Sequence, residues 1–152
     1  MSGEGVYALS RTHRQELIEL QEAALGGEAW TPGMVDEEFD RPGGVLLGVG
    51  EPLQGFACAW IVLDELHLLL IAVEATSRRR GLARALHTAL LARARGRASA
   101  GWLEVRADNA AARCFYGSLG WEEVGARPRY YTDGCDAVVM RMAPLYQPAA
   151  KR

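Results

Sequence analysis

The chain predicts an α+β fold: one mixed, mostly antiparallel sheet of about seven strands, flanked by about four helices. Three observations carry that reading. Short apolar runs bounded by Gly, Pro, Asn or Asp recur along the sequence, as strands do. Between them stand stretches with apolar residues at helical spacing. The order is strand, two helices, three strands, helix, strand, helix, two strands, which fits neither a strict strand–helix alternation nor an all-β series.

Residues 6–10 alternate and form the first strand. Thr12 and Gln15 have capping-box spacing, and Leu17, Ile18, Leu20 and Ala24 follow on one stripe, so a helix runs from about residue 14 to 25 and ends at Gly26-Gly27. Thr31-Pro32 opens a second, shorter helix that carries Met34, Val35 and Phe39, with Asp36, Glu37, Glu38 and Asp40 outward. Residues 41–44 stop it. Strands are expected at 45–49, at 55–63 after the turn 51–54, and at 66–73, the last apolar enough to be central. A polar loop, 76–80, leads into a helix from Gly81 to about residue 95, with Leu82, Leu86, Ala89 and Leu90 on one stripe. Residues 101–106 form a strand, and this strand–helix–strand passage is where a parallel pair and its crossover belong. A helix over 109–119 closes at Gly120; strands at 121–131 and 135–142 flank the turn 132–134. Residues 1–143 are expected to be one domain and 144–152 a flexible tail.

The 152 residues, 49% hydrophobic and 24% charged, are ordinary for a folded domain and exclude wholesale disorder. No apolar run reaches the roughly 18–20 residues of a membrane span, and the longest, 66–73, is interrupted by His67. The N-terminus lacks the basic and apolar regions of a secretory leader, so a cytoplasmic protein is expected. Cys58, Cys114 and Cys135 are odd in number and widely spaced, which suits a reducing compartment. His13, His67 and His87 do not cluster, and no metal site is expected. The net charge of −2 hides an asymmetry: 13 acids and three arginines up to Thr76, six acids and 14 basic residues after it. Overall acidity argues against nucleic acid, whereas the basic half suits a small polyanion.

Three segments carry candidate chemistry. Arg78-Arg79-Arg80-Gly81-Leu82-Ala83 enters a helix, where unpaired N–H groups and the helix dipole favour phosphate; a plain arginine-rich loop is the alternative. In Trp102-Leu103-Glu104-Val105-Arg106, alternation places Trp102, Glu104 and Arg106 on one face. Glu104 is then either a general base or half of a solvated Glu104–Arg106 pair. Asn109 is an N-cap, a role for which Asp108 competes. In Cys114-Phe115-Tyr116, Tyr116 is a buried tyrosine or a general acid, and Cys114 a packed helical cysteine.

Together these segments resemble the GNAT superfamily of acetyl-coenzyme A-dependent N-acyltransferases. Arg78, Gly81 and Ala83 match its pyrophosphate-binding pattern. The stretches VLDELHLLLIAV, RRRGLARAL, WLEVRADNAAARCFYGSLGW and RPRYYTDGCDAVVM are similar to the RimI-type enzymes, which acetylate the N-terminal alanine of a small-subunit ribosomal protein. The resemblance covers roughly residues 45–142, and Glu28-Ala29-Trp30 echoes the early helical region. It implies that the backbone of Ile71, Ala72 and Val73 aligns the acetyl group and pantetheine arm. It implies that Arg79, Arg80, Gly81, Leu82, Ala83 and Arg84 present N–H groups to the pyrophosphate, and that Asn109 contacts the coenzyme. Glu104 falls on the family's general base and Tyr116 on its general acid. The implied co-substrate is acetyl-coenzyme A, without a metal, and the implied acceptor a protein or peptide N-terminus, with a ribosomal protein as a candidate. Ala75, Ala83 and Trp121 depart from the commoner proline, glycine and phenylalanine. In this family, peptide specificity rests on the early helices and on the Arg129-Tyr130-Tyr131 hairpin, and the early region here matches poorly. An enzyme for a small amine and a non-catalytic acyl-coenzyme A sensor are the competing readings.

Overall fold

The computed structural model describes residues 5–145. Its elements are β1 Val6–Ala8, α1 Arg14–Leu25, α2 Pro32–Asp40, β2 Gly44–Val49, β3 Gly55–Val62, β4 Glu65–Val73, α3 Leu82–Ala94, β5 Ala100–Arg106, α4 Ala110–Ser118, β6 Glu122–Arg127 and β7 Ala137–Met142. The seven strands form one sheet in the order β1-β2-β3-β4-β5-β7-β6. The ladders β1–β2, β2–β3, β5–β7 and β6–β7 are antiparallel, and β4–β5 is parallel, as the crossover through α3 requires. The expected mixed sheet with four helices is therefore present.

The chain divides into two compact units. The first comprises residues up to Ile61 together with Leu69–Ala94. Its core joins Leu17, Ile18 and Leu20 of α1, Val35 of α2, and Phe56 and Cys58 of β3. Trp30 packs edge-on against Phe56, with ring centroids 6.0 Å apart. The entry to α1 differs from expectation. Thr12 and Gln15 do not form the capping box; a 3-10 turn at Arg11–His13 precedes the helix, and His13 Nδ1 accepts the Ser10 N–H at 3.2 Å. Gln15 instead donates to Glu19, one turn along α1. At α2, the Thr31 hydroxyl oxygen accepts the Met34 N–H at 3.2 Å and Pro32 opens the helix, as expected. Gln21, fully buried in α1, donates to the Trp30 carbonyl at 2.9 Å and accepts the Trp30 N–H at 2.6 Å. Gly43 is needed where it stands: its φ is +76°, and a Cβ there would lie 2.4 Å from the Ile61 carbonyl oxygen.

The second unit comprises Val62–Leu68 and the residues from Arg95 onward. Here β5 lies between β4, paired from Glu65↔Ala100 to Leu68↔Leu103, and β7, paired from Gly101↔Met142 to Arg106↔Ala137. Trp121 is buried above Gly101, where any side chain would collide with the indole and Leu145 at 2.8 Å. The last hairpin is shorter than the sequence suggests. β6 ends at Arg127 because Pro128 has no N–H to donate and Arg129 turns the chain at φ +54°. β7 begins at Ala137, since the Cys135 N–H donates to Asp133 Oδ1. Of the tail expected after residue 143, Leu145 is buried and its N–H donates to the Ser99 carbonyl at 2.9 Å. Residues 146–152 lie outside the described residues.

Candidate active site

In the first unit the candidate phosphate loop grows out of the end of β4. Ala72 and Val73 are buried and Ile71 is half-buried. The β5 ladder covers Glu65 to Leu68 of β4 and does not extend to residues 69–73. Past Val73 the chain is tied down: the Glu74 N–H donates to the Gln54 carbonyl at 2.8 Å, and the buried Ser77 hydroxyl donates to Glu74 at 2.5 Å. Arg78 then folds back, its Nε donating to the Val73 carbonyl at 3.0 Å. That guanidinium braces the loop against the strand end. Arg79 and Gly81 take φ values of +67° and +79°, so the backbone makes two left-handed turns before α3. The first helical bond closes from the Ala85 N–H to the Gly81 carbonyl at 2.9 Å. The N–H groups of Leu82, Ala83 and Arg84 therefore stand in the first turn, without intrahelical acceptors and at the positive end of the dipole. Arg79, Arg80 and Arg84 are exposed around it, and Gly81 leaves the approach open, with nothing within 4 Å of where its Cβ would be. One turn into α3, His87 is buried; desolvation first and the Arg84 charge second push its pKa down to about 4. It is neutral at ordinary pH and is no phosphate ligand.

In the second unit, β5 buries Leu103 and Val105 and leaves Trp102, Glu104 and Arg106 half-buried on the other face, as alternation requires. Glu104 does not pair with Arg106. Its carboxylate, 28% exposed, is bridged by Arg127 at the end of β6. Tyr130 stands against the same carboxylate, and hydrogen bonding to Glu104, with burial second, holds its phenol above the ordinary pKa. Arg106 turns away because two aspartates compete for it. It donates to Asp108 at 3.0 and 3.1 Å and to Asp133 at 2.6 Å, and lies 5.0 Å over the Tyr131 ring. These charge-assisted bonds hold both aspartates below the usual carboxylate range. With Asp108 thus engaged, Asn109 caps α4, its Oδ1 accepting the Ala112 N–H at 3.0 Å.

The α4 helix buries Tyr116, which is wedged edge-on between Phe115 at 5.3 Å and Trp121 at 6.4 Å. Desolvation raises its pKa well above that of a free phenol, so it keeps its proton at any physiological pH. Cys114, expected to pack, is exposed: it lies about 200° around the helix from the buried tyrosine. Arg113 anchors the helix by donating to Glu123 at 2.9 and 3.0 Å and to the Ala107 carbonyl at 2.8 Å.

The predicted residues thus fall into two groups. Ile71, Ala72, Val73 and the run from Arg78 to Arg84 share the first unit; Glu104, Asn109 and Tyr116 share the second. Sequence reasoning missed Arg127 and the twin aspartates of Arg106; it included Arg78 in the phosphate pattern but did not foresee that its guanidinium folds back onto the Val73 carbonyl. Among the described residues, no group of three or more His, Cys, Asp or Glu could hold a metal ion, and no helix is long and apolar enough to cross a membrane.

The sequence profile of the acetyltransferase (GNAT) family matches residues 14–121. The [ribosomal protein bS18]-alanine N-acetyltransferase of Escherichia coli strain K12 is 46% identical over 96 residues, 61% of this chain and 65% of that protein. The match thus spans just under two thirds of that relative's length. The N-alpha-acetyltransferase RimI of Mycobacterium tuberculosis is 35% identical over 142 residues, 88% of this chain and 89% of that one. The crystal structure of the Escherichia coli ribosomal-protein-S18-alanine N-acetyltransferase superposes with a TM-score of 0.80 at 31% identity, covering 97% of each chain. A profile match over most of the sequence, a relative matched along nearly its whole length and a shared sheet all lead to one conclusion: the chain belongs to the GNAT acetyltransferase family.

Proposed function

We propose that the chain transfers the acetyl group of acetyl-coenzyme A to the N-terminal α-amine of a protein, an Ala-initiated ribosomal protein being the favoured acceptor. The observation that carries this is the relative named N-alpha-acetyltransferase RimI, 35% identical over 88% of the chain. We further propose that residues 1–143 act as one such domain, in the cytoplasm, where ribosomal proteins are made.

In this reading the coenzyme pyrophosphate is held by backbone N–H groups from Arg79 to Arg84, at the open helix terminus beside Gly81. The side chain of Arg78 supports that loop from behind. The backbone of Ile71, Ala72 and Val73 aligns the acetyl group and pantetheine arm, with Asn109 as a further coenzyme contact. A protein N-terminus has a pKa near 8, so deprotonation at neutral pH is inexpensive. Glu104 accepts that proton, directly or through water. The amine then attacks the thioester carbonyl carbon, a C–N bond forms and the C–S bond breaks. Tyr116 gives its phenolic proton to the departing sulfur, and the second proton shed by the amine nitrogen returns to the phenolate, leaving the acetamide and the free coenzyme thiol. Like any phenol near neutral pH, Tyr116 is protonated when the thiolate leaves. The excess of acid up to Thr76 suits an acceptor with basic residues behind its first amine.

The test is thiol release from acetyl-coenzyme A with four acceptors: an Ala-initiated basic peptide, the same peptide blocked at its N-terminus, a lysine peptide and spermidine. Turnover of only the unblocked peptide supports the proposal. Turnover of spermidine alone replaces the acceptor with a small amine.

A further inference from the structure

We propose that Arg106 is a positioning residue for Glu104, acting through the loop between β6 and β7. The inference rests on reading Glu104 as the base. Arg106 sits two residues beyond Glu104 on the same face of β5, with its side chain only 19% exposed. From there it bonds Asp108, just before the α4 cap, and Asp133, in the turn of the loop. Its guanidinium also covers Tyr131, whose ring meets Tyr130 edge-on at 5.1 Å. Tyr130 in turn stands against Glu104. The loop has its own scaffold: Tyr131 N–H to the Cys135 carbonyl at 3.1 Å, and Arg129 N–H to Asp136 Oδ1 at 2.9 Å. Arg106 is what fastens that scaffold's tip to the strand carrying the base.

The same geometry gives Asp133 a second effect. An arginine two residues from Glu104 on one strand face is its natural partner. Asp108 and Asp133 hold Arg106 away and leave Glu104 to Arg127 and Tyr130. Removing the Asp133 charge loosens the loop and frees Arg106 to compete for Glu104. A second guanidinium on the carboxylate lowers its basicity.

The experiment uses Asp133→Asn, which keeps an oxygen for the Cys135 N–H and removes the charge, with Tyr130→Phe, the double variant, and Arg106→Lys, which keeps the charge without the fork. The readouts are kcat/KM for the unblocked peptide against pH, the dissociation constant of coenzyme A, and amide exchange of Tyr131 and Cys135. Each single variant is expected to lose about tenfold in kcat/KM, the size of one hydrogen bond to a charged group. The double variant loses no more than the worse single one, since both act through one contact. Asp133→Asn also moves the acid limb of the profile to lower pH and speeds exchange at Tyr131 and Cys135, with coenzyme affinity unchanged. Multiplicative losses of about a hundredfold in the double variant, or an unmoved acid limb with unmoved exchange in Asp133→Asn, overturn the inference. If the wild type turns over only another amine, the acceptor reading fails by itself and the same cycle, run on that amine, decides this one. Turnover of no amine at all removes Glu104 as base and this inference with it.

Discussion

Acidification offers a sharp test of the α3 packing. His87 lies 3% exposed among Ala85, Leu86, Ala89 and Leu90, and its pKa falls from 6.5 to about 4. Burial is the main cause and the Arg84 charge the second. The folded value is the lower one, so the unfolded chain takes up a proton that the folded chain refuses. Stability from this residue is complete above about pH 6.5, declines as the pH falls toward 4, and declines no further below that. The whole difference corresponds to about 3 kcal/mol, of which about 2 kcal/mol is gone by pH 5. The shifted carboxylates do not titrate in that window. Asp36, Asp108, Glu123 and Asp133 are all held below the usual carboxylate range, first of all by hydrogen bonds from arginine, and stay ionised at pH 5. Urea unfolding followed by tryptophan fluorescence at about pH 7.5 and 5 reads the effect as a midpoint drop of roughly 1 M. In His87→Gln, which cannot titrate, most of the drop disappears. An equal drop in wild type and His87→Gln would refute the assignment.

Three further outcomes are expected. Glu104→Gln lowers kcat/KM for the acceptor peptide by about 10²–10⁴ and leaves coenzyme A affinity within about twofold, measured by steady-state kinetics and calorimetry. Gln21→Ala strips partners from both the N–H and the carbonyl of Trp30 and costs about 2–3 kcal/mol in urea unfolding. Gly81→Ala meets no steric obstacle but must hold φ near +79°, so it weakens coenzyme binding about fivefold, a strain of roughly 1 kcal/mol, while circular dichroism stays unchanged.

Much of the fold was legible because it is local. The Asn109 cap, the Gly120 helix stop and the alternation of β5 each depend on residues within one turn or one strand. The entry to α1 was misread because two overlapping polar pairs, Ser10–His13 and Thr12–Gln15, could both cap, and the choice depends on a 3-10 turn. The partner of Glu104 was illegible for a deeper reason. On β6 the register slips between Glu123 and Gly125, so Gly125 pairs with Val139 and Arg127 with Ala137. Strict alternation from Glu122 would place residues 124 and 126 on the face of Glu104 and turn Arg127 away. One extra residue in the bulge reverses this and delivers Arg127 to a carboxylate 23 positions earlier. Buried Gln21 and His87 were unreadable for the opposite reason: polar letters in a helical stripe look like its solvent side.

The three free thiols divide the chain's redox chemistry. Cys58 is buried with its sulfur 3.4 Å from Glu38, and burial first, then that carboxylate, push its pKa far up. It has almost no thiolate and resists alkylation and oxidation. Cys114 is exposed and Cys135 half-buried, so electrophiles reach them first. A reagent that counts spent coenzyme by its sulfhydryl therefore also counts these two side chains. Replacing Cys114 and Cys135 by serine leaves the enzyme nearly silent to such a reagent and every remaining increment attributable to turnover.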